Sequence, residues 1–144
     1  MTDQTVFVID DDQAVRESIA ALVEIRGYPV RTFASAEEFL EFYDQDHAGC
    51  VVTDLRIDPG MSGIELQVKL SERGFNIPVI VISAYANVSN AVQAMHNGAV
   101  TLLEKNCQTE DLWQAITDAL RVDRENQEAQ TATQDVLTRF RSLT

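Results

Sequence analysis

Five times within the first 120 residues, a short apolar or alternating run is followed by a segment with apolar residues at three- and four-residue spacing. This repeat restricts the fold more than any other feature of the chain. Val6-Phe7-Val8-Ile9 leads into Val15, Ile19, Leu22 and Val23, closed by Gly27. Tyr28 to Phe33 alternates apolar with polar, as an edge strand does, and precedes Ser35 and Glu38, a capping box that opens a helix bearing Ala36, Phe39, Leu40 and Tyr43. Cys50 to Thr53 precedes a second capping box, Ser62 with Glu65, and a helix that runs to Gly74. Ile77 to Ile82 is rich in branched residues and precedes a short helix with Val88, Ala91, Val92 and Met95. Ala99 to Glu104 precedes a helix capped by Thr109 and carrying Leu112, Ile116, Ala119 and Leu120. Strands alternating with helices predict an α/β domain whose parallel sheet is covered on both faces. Right-handed crossovers then bring the carboxyl end of every strand to one edge, where open α/β sheets bind ligands.

The residues at four of those five ends carry the chemistry. Asp10, Asp11 and Asp12 follow the first strand, Asp54 ends the third, Ser83 ends the fourth and Lys105 follows the fifth. Carboxylates gathered at one place hold a proton or bind a hard cation, and magnesium suits a site with few carboxylates and a phosphate ligand. An Asp beside such a cation can attack phosphorus, while a hydroxyl and an ammonium neutralise the charge on the transferring oxygens. Asp54, Asp11, Ser83 and Lys105 fill those four roles. Taken alone, Asp10 and Asp12 would more simply cap a helix; it is their arrival on one edge with Asp54, Ser83 and Lys105 that points to a site.

Other classes are excluded or weakened. A net charge of −12 leaves the chain without the basic face of a nucleic-acid binder. Its apolar runs are shorter than a membrane span, and its first residues do not form a signal peptide, so a soluble cytoplasmic protein is expected. Cys50 and Cys107 lie far apart and have no CxxC or His partner, which argues against a metal or redox site, and Cys50 reads as a small buried hydrophobe. His47 and His96 read as surface residues, and Met61 and Met95 as packing. There is no glycine-rich nucleotide loop.

The order Ile9-Asp10-Asp11-Asp12, Asp54-Leu55-Arg56 with Pro59-Gly60-Met61-Ser62-Gly63, Ile82-Ser83-Ala84 and Glu104-Lys105 resembles the receiver domain of two-component response regulators over residues 5 to about 122. Gly63-Ile64-Glu65-Leu66 and Phe39-Leu40 resemble its FixJ-like branch, in which a LuxR-type helix-turn-helix follows the receiver. The resemblance implies a flavodoxin-like (βα)5 doubly wound sheet of order 2-1-3-4-5. It also implies a Mg2+-dependent step in which Asp54 takes a phosphoryl group from a sensor histidine kinase. Asp11, Asp54 and the backbone carbonyl of Arg56 would ligate Mg2+, Asp10 would hold a metal-bound water, and Ser83 and Lys105 would bind the phosphoryl oxygens. Such a domain is regulatory, with at most self-phosphorylation and self-dephosphorylation. Two rival readings remain: a phosphorylation-independent pseudo-receiver that only dimerises, and a haloacid-dehalogenase-type phosphohydrolase. The second has Gln13-Ala14 where Gly-Thr is expected and no room for a cap domain.

Departures from the family fall on particular residues. Asp58 is an extra residue before Pro59, Leu102 stands where an aromatic switch residue is usual, and Asn106 replaces a common Pro. Arg56 and Tyr85, two beyond the acceptor and two beyond the hydroxyl, would set the phosphate's lifetime by the family's logic. The expected division is a receiver over 1–122 and a helical linker over 123–144. There Ala119, Val122, Asn126, Ala129, Thr133, Val136, Phe140 and Leu143 follow a 3-4 spacing, either a marginal parallel dimer seam or a solvated helix. Ser142-Leu143-Thr144 resembles the entry to a FixJ-like DNA-binding domain, so DNA would be reached only through a missing C-terminal helix-turn-helix, and activation would proceed through a homodimer.

Overall fold

The computed structural model describes residues 4–44, 46–55, 61–84, 92, 94–96, 98–99 and 101–142, with side chains to residue 129. Its strands are β1 (Gln4–Ile9), β2 (Val30–Phe33), β3 (Ala48–Asp54), β4 (Val79–Ser83) and β5 (Thr101–Glu104). They form one parallel sheet in the order β2-β1-β3-β4-β5, the flavodoxin-like arrangement expected from the sequence. Helices α1 (Gln13–Ile25), α2 (Ala36–Phe42) and α3 (Gly63–Glu72) follow the first three strands, and a terminal helix, Thr109–Ser142, follows β5. Most of the expected helix between β4 and β5 lies outside the described residues; Val92 and Ala94–His96 within it are helical.

The sheet divides the core by the two-residue period of its strands. Phe7, Ile9, Val51, Val79 and Val81 face Phe39, Leu40, Leu66 and Leu70 of α2 and α3. Val6, Val8, Cys50, Val52, Ile80 and Ile82 face Ile19 and Val23 of α1 and Ile116, Ala119 and Leu120 of the terminal helix. Each such side chain, buried completely, contributes about 1.5–3 kcal/mol. All seven residues of β3 are buried, as befits the central strand, whereas β2 at the edge has only intermediate and exposed positions. Gly49 opens β3 so close to β1 that a Cβ would stand 1.7 Å from the Thr5 carbonyl oxygen, and its φ of 141° is one that few side chains permit.

The caps are local and follow the sequence. Asp12 accepts the Ala14 N–H, Ser35 Oγ the Glu38 N–H at 3.2 Å and Ser62 Oγ the Glu65 N–H at 3.1 Å. Glu38 closes its box one residue early, accepting from the Ala34 N–H at 3.3 Å. The terminal helix begins by using the Gln108 carbonyl, so Thr109 lies in its first turn instead of at its cap.

Three expectations about packing change. His47 stacks on Phe42 with centroids 4.7 Å apart, because the aromatic cluster around Phe7 extends to the start of β3. Met95 is exposed. Ala119, first in the proposed helical seam, is completely buried against the sheet, because the stripe that covers a core has the same spacing as a coiled-coil seam. The helix itself continues unbroken past residue 122 to Ser142. The side chains of Thr133, Val136 and Phe140, and all of Leu143 and Thr144, lie outside the described residues.

Candidate functional site

Parallel pairing brings the ends of β1, β3, β4 and β5 into one row. Ile9 is in register with Thr53, Asp54 with Ile82, and Ser83 with Glu104. Hydrogen bonds carry the row one residue further, from Leu55 N–H to the Ile82 carbonyl and from Lys105 N–H to the Ser83 carbonyl, each 2.8 Å. Asp10, Asp11, Asp54, Ser83 and Lys105 therefore share one edge.

Asp10 and Asp54 are both buried, and Asp11 beside them is exposed. A carboxylate oxygen from each of the three can be chosen so that all lie within 4.8 Å of one another. The Lys105 ammonium bridges two of them, 2.7 Å from Asp54 Oδ2 and 3.1 Å from Asp10 Oδ2. Asp10 Oδ1 accepts the Asp12 N–H at 2.9 Å. Its Oδ2 is completely buried and has no well-oriented hydrogen-bond donor among the described residues; the Lys105 ammonium stands 3.1 Å from it. Burial is the main reason the Asp10 carboxyl titrates above its ordinary range, and the neighbouring Asp54 charge adds to it, against the Asp12 N–H and Lys105. For Lys105, burial opposes the charge, but hydrogen bonds to Asp54 and Asp10 and their charges outweigh it and hold its pKa above the usual value.

This donor set fits a hard divalent cation. The three carboxylates are all oxygen ligands, one oxygen is buried without a proper donor, and one carboxylate is open to solvent. Ser83 is buried at the end of β4 beside the row. Leu102, two residues before Glu104 on β5 and in register with Val81, is partly buried against the Phe7 cluster. Arg56, Asp58 and Tyr85 lie outside the described residues.

Gly63 packs back against the end of β3. Its N–H donates to the Leu55 carbonyl at 3.1 Å, and a Cβ would come within 2.6 Å of the Asp54 carbonyl oxygen. Several polar residues around this frame carry no sequence signal of their own. Arg16 of α1 donates from Nη1 to the Asp10 carbonyl at 2.7 Å. Glu37 of α2 accepts the Met61 N–H at 2.6 Å. Buried Gln67 of α3 donates to the Ala94 carbonyl at 3.2 Å, while its own amide oxygen is unpartnered. At the opposite edge of the sheet, buried Asp123 of the terminal helix accepts from the Gln4 side chain and the Gly49 N–H, both at 3.0 Å. Arg16 could have been suspected as a cation four residues after the capping Asp12; the others pair across sequence separations that no local pattern encodes.

Against known families, the response regulator receiver domain matches residues 6–117. Among curated proteins, the chain is 43% identical over 121 residues to the transcriptional regulatory protein TdiR of Thauera aromatica, covering 84% of this chain and 53% of that protein. It is 43% identical over 119 residues to the transcriptional regulatory protein FixJ of Rhizobium meliloti (strain 1021), covering 83% and 58%. The chain thus spans little more than half the length of these relatives. Among solved structures, the crystal structure of FixJ-N superposes with a TM-score of 0.76 at 42% identity, covering 84% of this chain and 96% of that one. A low-resolution structure of the response regulator StyR gives 0.93 at 38% identity, covering 99% and 72%. Among the described residues no helix is long and apolar enough to cross a membrane.

Proposed function

The chain belongs to the response regulator receiver family, and from that premise we propose that Asp54 is its phosphoacceptor, with Lys105 and Ser83 as partners of the phosphoryl group. The observation that carries this reading is the bridge from Lys105 to Asp54 at 2.7 Å and Asp10 at 3.1 Å, within a trio of carboxylates. A carboxylate held beside an ammonium is aligned with the cation that will receive its product.

In the transfer, a carboxylate oxygen of Asp54 attacks phosphorus with its lone pair. The bond from phosphorus to the donor's imidazole nitrogen breaks, and its electrons leave on that nitrogen. Negative charge spreads over three phosphoryl oxygens. The Lys105 ammonium, already 2.7 Å from the acceptor, donates to one, and the Ser83 hydroxyl to another. Asp11, Asp54 and the Arg56 carbonyl would hold Mg2+, with Asp10 reaching it through water; when bound, the ion supplies electrostatic neutralisation of the phosphoryl oxygens. Asp10 meanwhile keeps Lys105 oriented from behind, which is the use the protein makes of a buried carboxylate.

The donor is a sensor histidine kinase, the class of partner with which receiver domains interact. The relatives named transcriptional regulators support an output in transcription, acting through the part of such a protein beyond the receiver. Residues 1–122 would form the receiver and 123–144 the linker to that output, with dimerisation on activation as the coupling step. Arg56, Tyr85, Leu102 and Asp58 would set the phosphate's lifetime and the switch. The family match and the lysine bridge favour neither a phosphohydrolase of the haloacid-dehalogenase type nor a module that ignores phosphate.

The test is intact mass after incubation with magnesium and a small acyl phosphate, for the natural chain and Asp54→Asn. Gain of one phosphoryl group by the natural chain alone is expected. An equal gain in both, or none in either, would overturn the assignment.

A further inference from the structure

We propose that Arg16 is a positioning residue for the cation site: by holding the Asp10 carbonyl, it fixes the peptide that aims Asp11 at its two fellow carboxylates. This rests on the reading above that Asp11 is a cation ligand.

Every polar atom of Asp10 has a defined neighbour. Its N–H donates to the Phe33 carbonyl at 3.1 Å, Oδ1 accepts the Asp12 N–H at 2.9 Å, and Oδ2 faces Lys105 at 3.1 Å. The carbonyl oxygen is taken by Arg16 Nη1 at 2.7 Å, the short distance of a charge-assisted bond. Asp10 is completely buried, so without Arg16 this carbonyl would lose its donor inside the fold.

The geometry makes Arg16 more than a filler of that valence. A peptide unit is planar, so the direction of the Asp10 carbonyl fixes the orientation of the Asp11 N–H in the same plane. That leaves the two soft dihedrals flanking the plane as the determinants of where the Asp11 side chain departs. Asp11 is exposed, yet one of its oxygens lies within 4.8 Å of Asp10 and Asp54 oxygens. The restraint has to come through the backbone, and the guanidinium is on a rigid base. Arg16 lies in the first turns of α1, its N–H bonded to the Asp12 carbonyl at 3.1 Å, while Asp12 caps the same helix through Ala14. The cap, the guanidinium and the carbonyl close a ring around the acidic turn. The cation on Arg16 also offsets part of the repulsion among the three carboxylates, but its placement on a carbonyl makes the hydrogen bond the principal contribution.

The test is calorimetric titration of the chain with Mg2+ for the natural protein, Arg16→Met, Arg16→Gln and Asp11→Asn, with circular dichroism to compare folding. Supporting residues of this kind typically contribute about 10- to 100-fold to metal affinity. Arg16→Met should therefore raise the Mg2+ dissociation constant by at least about tenfold. Arg16→Gln, which keeps an N–H donor and loses the charge, should recover much of the loss. If Arg16→Met binds as the natural chain does, or Gln and Met are equally weak, the positioning role is overturned while the cation site stands. Failure of the natural chain to bind Mg2+, or unchanged binding by Asp11→Asn, would overturn the site reading itself and this inference with it. Should Arg16→Met not fold, Gln against the natural chain decides: equal affinity supports the hydrogen bond, and loss as large as that of Asp11→Asn refutes it.

Discussion

Replacing Asp123 separates hydrogen bonding from charge at the foot of the terminal helix. One oxygen, Asp123 Oδ2, accepts from Gln4 Nε2 and Gly49 N–H at 3.0 Å each and from Gln127 Nε2 at 3.3 Å. Gln4 also donates to the Leu120 carbonyl at 2.8 Å, so it keeps one partner whatever happens at 123, but the N–H of Gly49 does not. Asp123→Ala would leave that buried donor orphaned at about 1–3 kcal/mol and forgo the charge-assisted bonds, less the cost of desolvating the carboxylate. A net loss of about 1–3 kcal/mol is expected, read as a lower urea midpoint at unchanged slope. Asp123→Asn keeps an oxygen for the same donors and should stay within about 1 kcal/mol of the natural chain. Burial is the chief cause that raises the Asp123 pKa, opposed by the bonds from Gln4 and Gly49 and by the Arg124 charge. A raised folded-state pKa means that the protonated form is favoured by folding. Its contribution is complete below the unfolded pKa and is lost as pH rises through the folded one. The natural chain should therefore gain on Asp123→Asn as pH falls through the raised Asp123 pKa towards the ordinary carboxylate value of 3.8, since Asp10 and the other titrating groups are common to both. An Ala variant as stable as the natural chain would refute the bonding argument, and a difference flat in pH would refute the shift.

Two further substitutions probe the site edge. Gly63→Ala puts a methyl 2.6 Å from the Asp54 carbonyl, so backbone must move at a cost of about 1–3 kcal/mol, and phosphoryl uptake should slow with it. Urea unfolding and intact mass check both, and natural stability would show that the turn yields freely. Lys105→Met strips two buried carboxylates of their shared partner. A fully buried pair would lose about 3–5 kcal/mol, but the lysine is 23% exposed, and screening reduces this to about 1–3 kcal/mol. Magnesium should restore part of that stability through the carboxylates while uptake stays low; no destabilisation at all would mean that solvent already shields the pair.

The sheet edge was legible because strand ends in a parallel sheet are a geometric certainty once the alternation is recognised. Asp54, Ser83 and Lys105 each stand within two residues of the end of an apolar run, and the structure sets them in one row. Asp123 was not legible for the opposite reason. Its partner Gln4 is 119 residues away, and one polar residue on a helix stripe looks the same whether it meets solvent or a buried amide. Ala119 shows a related ambiguity. The spacing that builds a dimer seam also builds a core-facing stripe, and only the length of sheet beneath the helix separates the two. In this chain the sheet still holds the helix at Asp123.

Charge explains why the site needs more than its own lysine. Set against Lys105 alone, three carboxylate charges on Asp10, Asp11 and Asp54 would leave an excess of two, and two of the three carboxylates are buried. A divalent cation removes that excess. On the proposed reading, a phosphoryl group on Asp54 would replace its single charge with nearly two, and the cation and Lys105 together would hold a group that neither could stabilise alone. The lysine's short contact with Asp54 is one half of that balance, and the trio of carboxylates facing it would supply the other half by holding the cation.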